Sequence, residues 1–562
     1  MSLHACLRLT VALLVVAGSA RAATPDYDLI IRNGHVIDGT GSPWYGADVA
    51  VKDGRIAAIG RLGGAHAARI IDAHGMVVAP GFIDMLGQSE LTLLVDARAP
   101  SKIFQGITTE ITGEGESVAP LNELIIKDRQ STYDHLQVKV DWRTLQEYFA
   151  RLERQRIGIN FATYVGATSI REMVIGYANR APRSAELHKM QELVEQAMRQ
   201  GAVGVSTALE YPPAPYAGTE ELVALAQVAA RFGGIYATHM RDEGDREMAA
   251  LEETFRIGRE AQIPIEIWHL KTSGRKNWGS MPQVIERIDK ARARGVDVAA
   301  DTYAYTAWSN RMSAFTPPWA NDGGKDKLVQ RLKDPALRAR MRKDMTTPNG
   351  DWDNEWLEIK GPEDVLICAV SHKELLKYQG KRLNEIAAEW HEDGIDAIFD
   401  FLIKDEAATE VAVFGMDEHD VTLGLRQPWV AIDNDSWATS PDGILGADHP
   451  HPRAYGTFPR ILAKYVRKEG QLTLADAIRK FSALAAQRMH LADRGVIKQS
   501  MWADLVIFDP NTVQDVATYD NPNRFSEGMS YVLVNGVPVL EQGRMTGALP
   551  GKVLRGAGYT GP

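Results

Sequence analysis

Three residues of metal-ligating type stand at the ends of short apolar runs: Glu114 after T-T-E-I-T-G, His239 after G-I-Y-A-T, and His269 after P-I-E-I-W. Two imidazoles and a carboxylate suit a borderline divalent cation such as zinc, and a catalytic site needs three protein ligands with one position left for water. Any one of these residues alone is more simply a hydrogen-bonded structural group. Three in successive strand-end positions favour a metal site. A fourth candidate, Asp435 in V-A-I-D-N-D-S-W, ends another apolar run. A carboxylate there could take a proton from activated water and return it to a leaving amine; the same position would also suit a loop-capping aspartate.

The elements that must position these groups alternate in type. Short β-type runs (I-N-F-A-T-Y-V-G, G-A-V-G-V-S-T-A, G-I-Y-A-T-H-M, P-I-E-I-W-H-L, V-D-V-A-A-D-T-Y) are separated by amphipathic stretches at 185–200, 220–232, 246–261 and 282–294. That rhythm predicts an α/β fold with a (β/α)8 TIM-type barrel, in which reactive residues gather at the C-terminal ends of the strands. His239, His269 and Asp301 fall at such ends. From about 311 to 417 the rhythm is disturbed by a Pro- and Gly-bearing stretch, a charged helical segment at 328–343 and an irregular D-W-D-N-E-W. This reads as an inserted small domain over the barrel mouth.

Strand-rich text occupies both ends of the chain. Asn33-Gly34, Asp53-Gly54 and Asn535-Gly536 are hairpin signals flanked by alternating apolar residues. The expected organisation is a β-sandwich built from 24–79 and 491–562, around a hydrolase barrel at 80–490.

Composition bounds the rest. A chain of 562 residues is too long for one ordinary core, and 45% hydrophobic with 24% charged residues is that of a soluble folded protein. A net charge of -10 argues against nucleic acid as a partner. The expected partner is a small-molecule substrate. At the N-terminus, Arg8, an apolar run from Leu9 to Ala17 and Ala20-Arg21-Ala22 have the form of a secretory signal peptide over 1–23. The run is too short to span a bilayer, so the expectation is a periplasmic or secreted protein with no membrane association after cleavage. Cys6 lies in that segment, leaving Cys368 as a single, buried cysteine. No G-x-S-x-G elbow, Walker P-loop or paired C-x-x-C is present, and G-E-G-E-S lacks the third glycine of a dinucleotide fingerprint.

Several long strings, correctly ordered, carry a resemblance: D-L-I-I-R-N-G-H-V-I-D-G-T-G, A-P-G-F-I-D, G-V-S-T-A-L-E-Y-P-P, A-T-H-M-R-D-E, D-T-Y-A-Y-T-A, H-P-R-A-Y-G-T-F-P-R and D-R-G-V-I-K-Q-S-M-W-A-D-L-V-I-F-D-P. Over Tyr27 to about Gly556 the chain resembles the N-acyl-D-amino-acid deacylases (D-aminoacylases) of the amidohydrolase superfamily. The resemblance implies hydrolysis of an N-acyl amide by zinc-activated water. It puts Glu114 at the position of the family's cysteine ligand, and His239 and His269 at its two histidines. It puts the acid/base aspartate at Asp435, with Asp442 of S-P-D-G as the alternative, and substrate contacts at Lys271 and Tyr303.

The chain also departs from that pattern. The family's H-x-H after P-G-F-I-D, which serves a second metal, is replaced by Leu86 and Gln88, and a further family histidine is Ala167. Leucine cannot coordinate and glutamine is a poor zinc ligand. The expected cofactor is therefore one divalent ion, zinc first, with manganese admitted by the harder carboxylate of Glu114. Two other readings stay open: a hydrolase of the same fold acting on a cyclic amide, lactone or dipeptide-like substrate, and a non-catalytic small-molecule-binding relative.

Overall fold

The computed structural model describes residues 25–348 and 352–561; the expected signal segment lies outside the described residues. Eight short strands run parallel around a barrel: Phe82–Asp84, Ile107–Thr112, Asn160–Thr163, Gly204–Ala208, Ile235–His239, Ile265–Ile267, Val298–Thr302 and Val430–Ile432. Closure between the last strand and the first is made by the Met85 amide, which donates to the Ile432 carbonyl at 3.2 Å, and by a parallel bridge between Gly87 and Ser436. Both faces of these strands are covered, so they are buried throughout rather than alternating.

The helices of the barrel lie within a residue of the expected spans, at Ser184–Gln200, Thr219–Arg231, Glu247–Ala261 and Met281–Ala293. The charged segment 328–343 differs: it is two helices, Lys325–Leu332 and Pro335–Thr346. Pro335 cannot continue the first helix, and the Asp334 side chain caps the second by accepting from the Ala336 and Leu337 amides.

The two ends of the chain meet in a single nine-stranded sheet, where Val77–Pro80 pairs antiparallel with Leu505–Phe508. Alternate residues face two cores. Val78, Leu505, Ile507 and Leu533 pack in the module's own core, whereas Val77, Ala79, Val506 and Val532 join the barrel's. Asp53-Gly54 and Asn535-Gly536 form the expected hairpin turns. Asn33-Gly34 does not. It is a register shift within one continuous strand, Tyr27–Val36, with Asn33 at φ 57°. Left-handed backbone is demanded by a bulge as well as by a turn, so the dipeptide signal is the same for both.

After the strand Val298–Thr302 the chain leaves the barrel. Trp308–Arg311, Val365–Ala369 and Glu410–Val413 form a small antiparallel sheet of their own, joined by helices between them, before the chain re-enters at Val430. Cys368 is buried in that sheet and unpaired. Among the described residues no helix is long and apolar enough to cross a membrane.

Candidate metal centre and active site

Glu114 sits between two glycines just beyond the strand Ile107–Thr112. Gly113 and Gly115 have φ of 99° and 63°, and a Cβ on Gly115 would lie 2.5 Å from the Ala208 backbone nitrogen. Only glycine lets this tight loop tuck against the neighbouring strand, where the Gly115 amide donates to the Ser206 hydroxyl at 3.2 Å. His239 is the last residue of its strand. His269 lies just past Ile265–Ile267 in the left-handed region, at φ 37°, and its amide donates to Asp301 at 2.6 Å. Asp301 is thus the brace for an unusual backbone at His269.

The three side chains converge. Glu114 Oε1 lies 3.2 Å from His239 Nδ1 and 3.1 Å from His269 Nε2, and one donor atom from each residue falls within 4.8 Å of the others. Each histidine turns its other nitrogen to a carboxylate: His239 Nε2 to Glu210 at 3.0 Å, His269 Nδ1 to Glu243 at 3.2 Å. Outer carboxylates of this kind fix the ring's orientation and raise its basicity as a ligand. Burial alone would raise the pKa of Glu114, but hydrogen bonding to the two histidines holds it well below the usual range. Burial opposes charge on His239, and the carboxylates of Glu243, Glu114 and Glu210 outweigh it, raising its pKa. An anionic, desolvated set of one carboxylate and two imidazoles with ordered outer partners fits a divalent ion.

Asp435 faces the same centre. One oxygen accepts from the Gln88 amide at 2.9 Å, and that amide also donates to Glu114 Oε2 at 2.9 Å. The other oxygen pairs with Arg453 at 2.8 Å. Burial raises the pKa of Asp435, Arg453 pulls it down and Glu114 pushes it up again; the net shift is upward. Below it, fully buried Lys102 binds Asp84, Asn434 and the Ser436 carbonyl, each at 2.7 Å, and lies 3.0 Å from Glu110. This buried cation is paired on every side, and it ties the Asn434–Ser436 loop to the first barrel strand. Asp442 stands elsewhere, at the start of the short turn Gly443–Gly446, and does not line the cavity.

The cavity above the centre holds about 240 Å³ and adjoins one of about 400 Å³, the two sharing Gln88, Glu90, Glu116, Tyr211, Arg311, Glu410 and Trp437. Lys271 lines it, with its ammonium 2.5 Å from Glu243 and 2.7 Å from His269 Nδ1. Tyr303 is buried away from the cavity wall, its ring 4.7 Å from the Arg453 guanidinium and its hydroxyl near only Met416 sulfur, at 3.9 Å. Leu86 is fully buried among Ile83, Met85 and Ile111. Ala167 begins the helix Ala167–Ile175, and Arg171 of that helix pairs with Glu221 at 2.6 Å. Sequence reading missed Arg453, Glu210 and Glu243. All three lie inside the family-like strings, and Glu210 is two residues past a barrel strand, a position that could have pointed to it.

A parallel barrel with such a donor set at its strand ends defines a metal-centred hydrolase barrel. Residues 69–540 match the model of the amidohydrolase family. The chain belongs to that family. It is 35% identical over 535 residues to a D-aminoacylase of Alcaligenes xylosoxydans xylosoxydans, covering 94% of this chain and 97% of that one. It is also 35% identical over 529 residues to an N-acyl-D-glutamate deacylase of the same organism, covering 94% and 96%. Among solved structures, N-acyl-D-glutamate deacylase from Bordetella bronchiseptica, complexed with zinc and a phosphonate inhibitor mimicking the tetrahedral intermediate, superposes with a TM-score of 0.79 at 34% identity, covering 94% and 99%. A D-aminoacylase whose binuclear centre is described as having one-metal activation and second-metal attenuation gives 0.78 at 35%, covering 94% and 100%.

Proposed function

We propose that this protein is an exported, single-ion deacylase of N-acyl-D-amino acids or related acyl amino acids. The observation that carries the reading is the placement of Asp435 beside the Glu114, His239 and His269 cluster, in a chain similar over nearly its whole length to deacylases of this substrate class. Glu114, His239 and His269 would hold the ion, zinc first among candidates because a relative is complexed with it. When bound, the ion supplies Lewis acidity toward water and the acyl oxygen.

The chain's own residues do the proton work. Asp435, whose pKa burial raises and Arg453 draws back down, accepts the proton of the attacking water and passes it to the amide nitrogen as the C–N bond breaks. Gln88 fixes the direction of one Asp435 oxygen. Its neutral amide fills the space between Glu114 and Asp435, and Leu86 points into the core, which supports one ion rather than two. The apolar run and small-residue site before Ala23 support export to the periplasm or beyond.

The test is metal analysis of the purified protein with a screen of N-acetyl-D- and N-acetyl-L-amino acids, cyclic imides and lactones. About one divalent ion per chain and turnover of the D-compounds are expected. Turnover of imides or lactones alone would replace the reading with that of a different hydrolase. Failure to hold or take up any ion would make the protein a non-catalytic relative.

A further inference from the structure

The inserted domain sends one irregular segment into the cavity. Asp353, Glu355 and Glu358 all line it and are at most 8% exposed. The groups that donate to them are neutral, and Glu358 also meets Asp353 side chain to side chain. Asp353 accepts from the Glu243 amide at 2.9 Å, Glu358 from the Ser273 hydroxyl at 2.9 Å, and Glu355 Oε1 from Trp308 Nε1 at 2.9 Å and from Asn310. Glu355 Oε2 has no partner, although the residue is only 2% exposed. Glu210 also lines the cavity, and its Oε1 is likewise unpartnered.

The cations of the wall are already committed. Lys271 pairs with Glu243, Arg453 with Asp435, and Arg311 with Glu116 at 3.4 Å. No lysine or arginine among the described residues forms an ion pair with Asp353, Glu355 or Glu358. Burial, and then the neighbouring carboxylates, push the pKa of all three well above the usual range. Buried carboxylates without a cation must hold protons or wait for a positive ligand. A divalent ion is the poorer match, because among the described residues the donors that converge closely enough for one are Glu114, His239 and His269. A larger organic cation can reach carboxylates that are spread along a wall.

We infer that the Asp353–Glu358 segment is a cation-recognition wall of the substrate site, so that the preferred substrate is an acyl amide bearing an ammonium or guanidinium group. The inference rests on the deacylase reading and narrows its substrate class. The cation can come from the side chain of a basic D-residue or from the free α-amine of a dipeptide with a D-residue at its C-terminus. A second carboxylate, as in N-acyl-D-glutamate, is what this wall repels.

The test compares kcat/KM for N-acetyl-D-lysine, N-acetyl-D-arginine, N-acetyl-D-norleucine and N-acetyl-D-glutamate, and for L-alanyl-D-alanine against N-acetyl-D-alanine, on the metal-loaded protein. A cationic preference of about 100-fold over the neutral match is expected, since a site built for a polar group leaves its own groups unpaired with the analogue lacking it. Preference for the lysine and arginine compounds assigns the wall to the side chain; preference for the dipeptide assigns it to the α-amine. Glu355→Gln, which keeps Oε1 as an acceptor, and separately Glu358→Gln should each lower the cationic-to-neutral ratio at least about tenfold.

A parallel calorimetric titration of Asp435→Asn with N-acetyl-D-lysine and N-acetyl-D-norleucine separates the two readings. If neutral or acidic compounds are turned over as well as the cationic ones and Glu355→Gln leaves the ratio unchanged, the wall is overturned and the deacylase reading stands. If nothing is hydrolysed but Asp435→Asn still binds the lysine compound more tightly, the deacylase reading falls and the wall stands. No hydrolysis and no binding preference overturns both.

Discussion

Glu114 and Asp435 accept hydrogen bonds from the same side-chain amide, that of Gln88, at 2.9 Å each. Two carboxylates this close to a shared donor repel one another, and a neutral amide is the mildest group that can join them. Gln88 thus couples the position of Asp435 to that of Glu114.

Gln88→Leu removes both bonds while leaving Glu114, His239 and His269 in place. The expected result is one ion per chain, as in the parent, with kcat reduced roughly 10–100-fold because Asp435 loses its orientation. Metal content by mass spectrometry and steady-state rates check both halves. Release of the ion by this substitution would show that Gln88 supports the metal rather than the base.

Asp435→Asn keeps the size and one acceptor but cannot take a proton. It should retain metal and lose about 10²–10⁴-fold in kcat. Asp442→Asn, at the start of a turn outside the cavity, should stay within about twofold of the parent, in line with other surface changes. The reverse pattern would move the acid/base role to Asp442.

The barrel, and the placing of Glu114, His239 and His269 at its strand ends, were legible because both depend on local pattern. A strand ending in His239 or in the loop of Glu114 announces itself by its apolar run and by the helical periodicity or glycine-bounded turn beyond it. Their partnerships were not legible: Gln88 stood out only as a departure from the family's pattern and Glu210 only by its place two residues past a strand, and both, like Arg453, gain their contacts only when distant segments meet. Lys271 was placed at the site by the family resemblance; it lines the cavity, with its ammonium paired to Glu243. Tyr303 faces Arg453 with its ring, an arrangement that no spacing encodes. Asn33-Gly34 failed for a different reason: the residue signal reports a backbone angle, and a bulge and a hairpin turn share that angle.

Glu210 touches no expected ligand position except through His239, whose Nε2 it holds at 3.0 Å. Glu210→Gln keeps the shape but loses the charge that makes the imidazole a stronger donor. Metal affinity should fall about 10–100-fold, measured by competition with a chromophoric chelator. At saturating metal, kcat should recover most of its value. An unchanged affinity would mean that this carboxylate serves the cavity alone.

In the proposed mechanism Arg453 sets the pH at which Asp435 works. Burial raises the Asp435 pKa and Arg453 is the largest influence lowering it, so the acid limb of the rate profile should lie above the usual carboxylate range in the parent. The base must be ionised, so activity is present above that pKa and is lost as pH falls through it. Arg453→Met removes the lowering influence and should move the limb upward by roughly 1–3 pH units, the shift an adjacent opposite charge typically produces. Metal content at high pH should match the parent, which separates this effect from loss of the ion. A limb that stays where it was, with activity merely scaled down, would mean that Arg453 positions substrate and that the proton resides on another group.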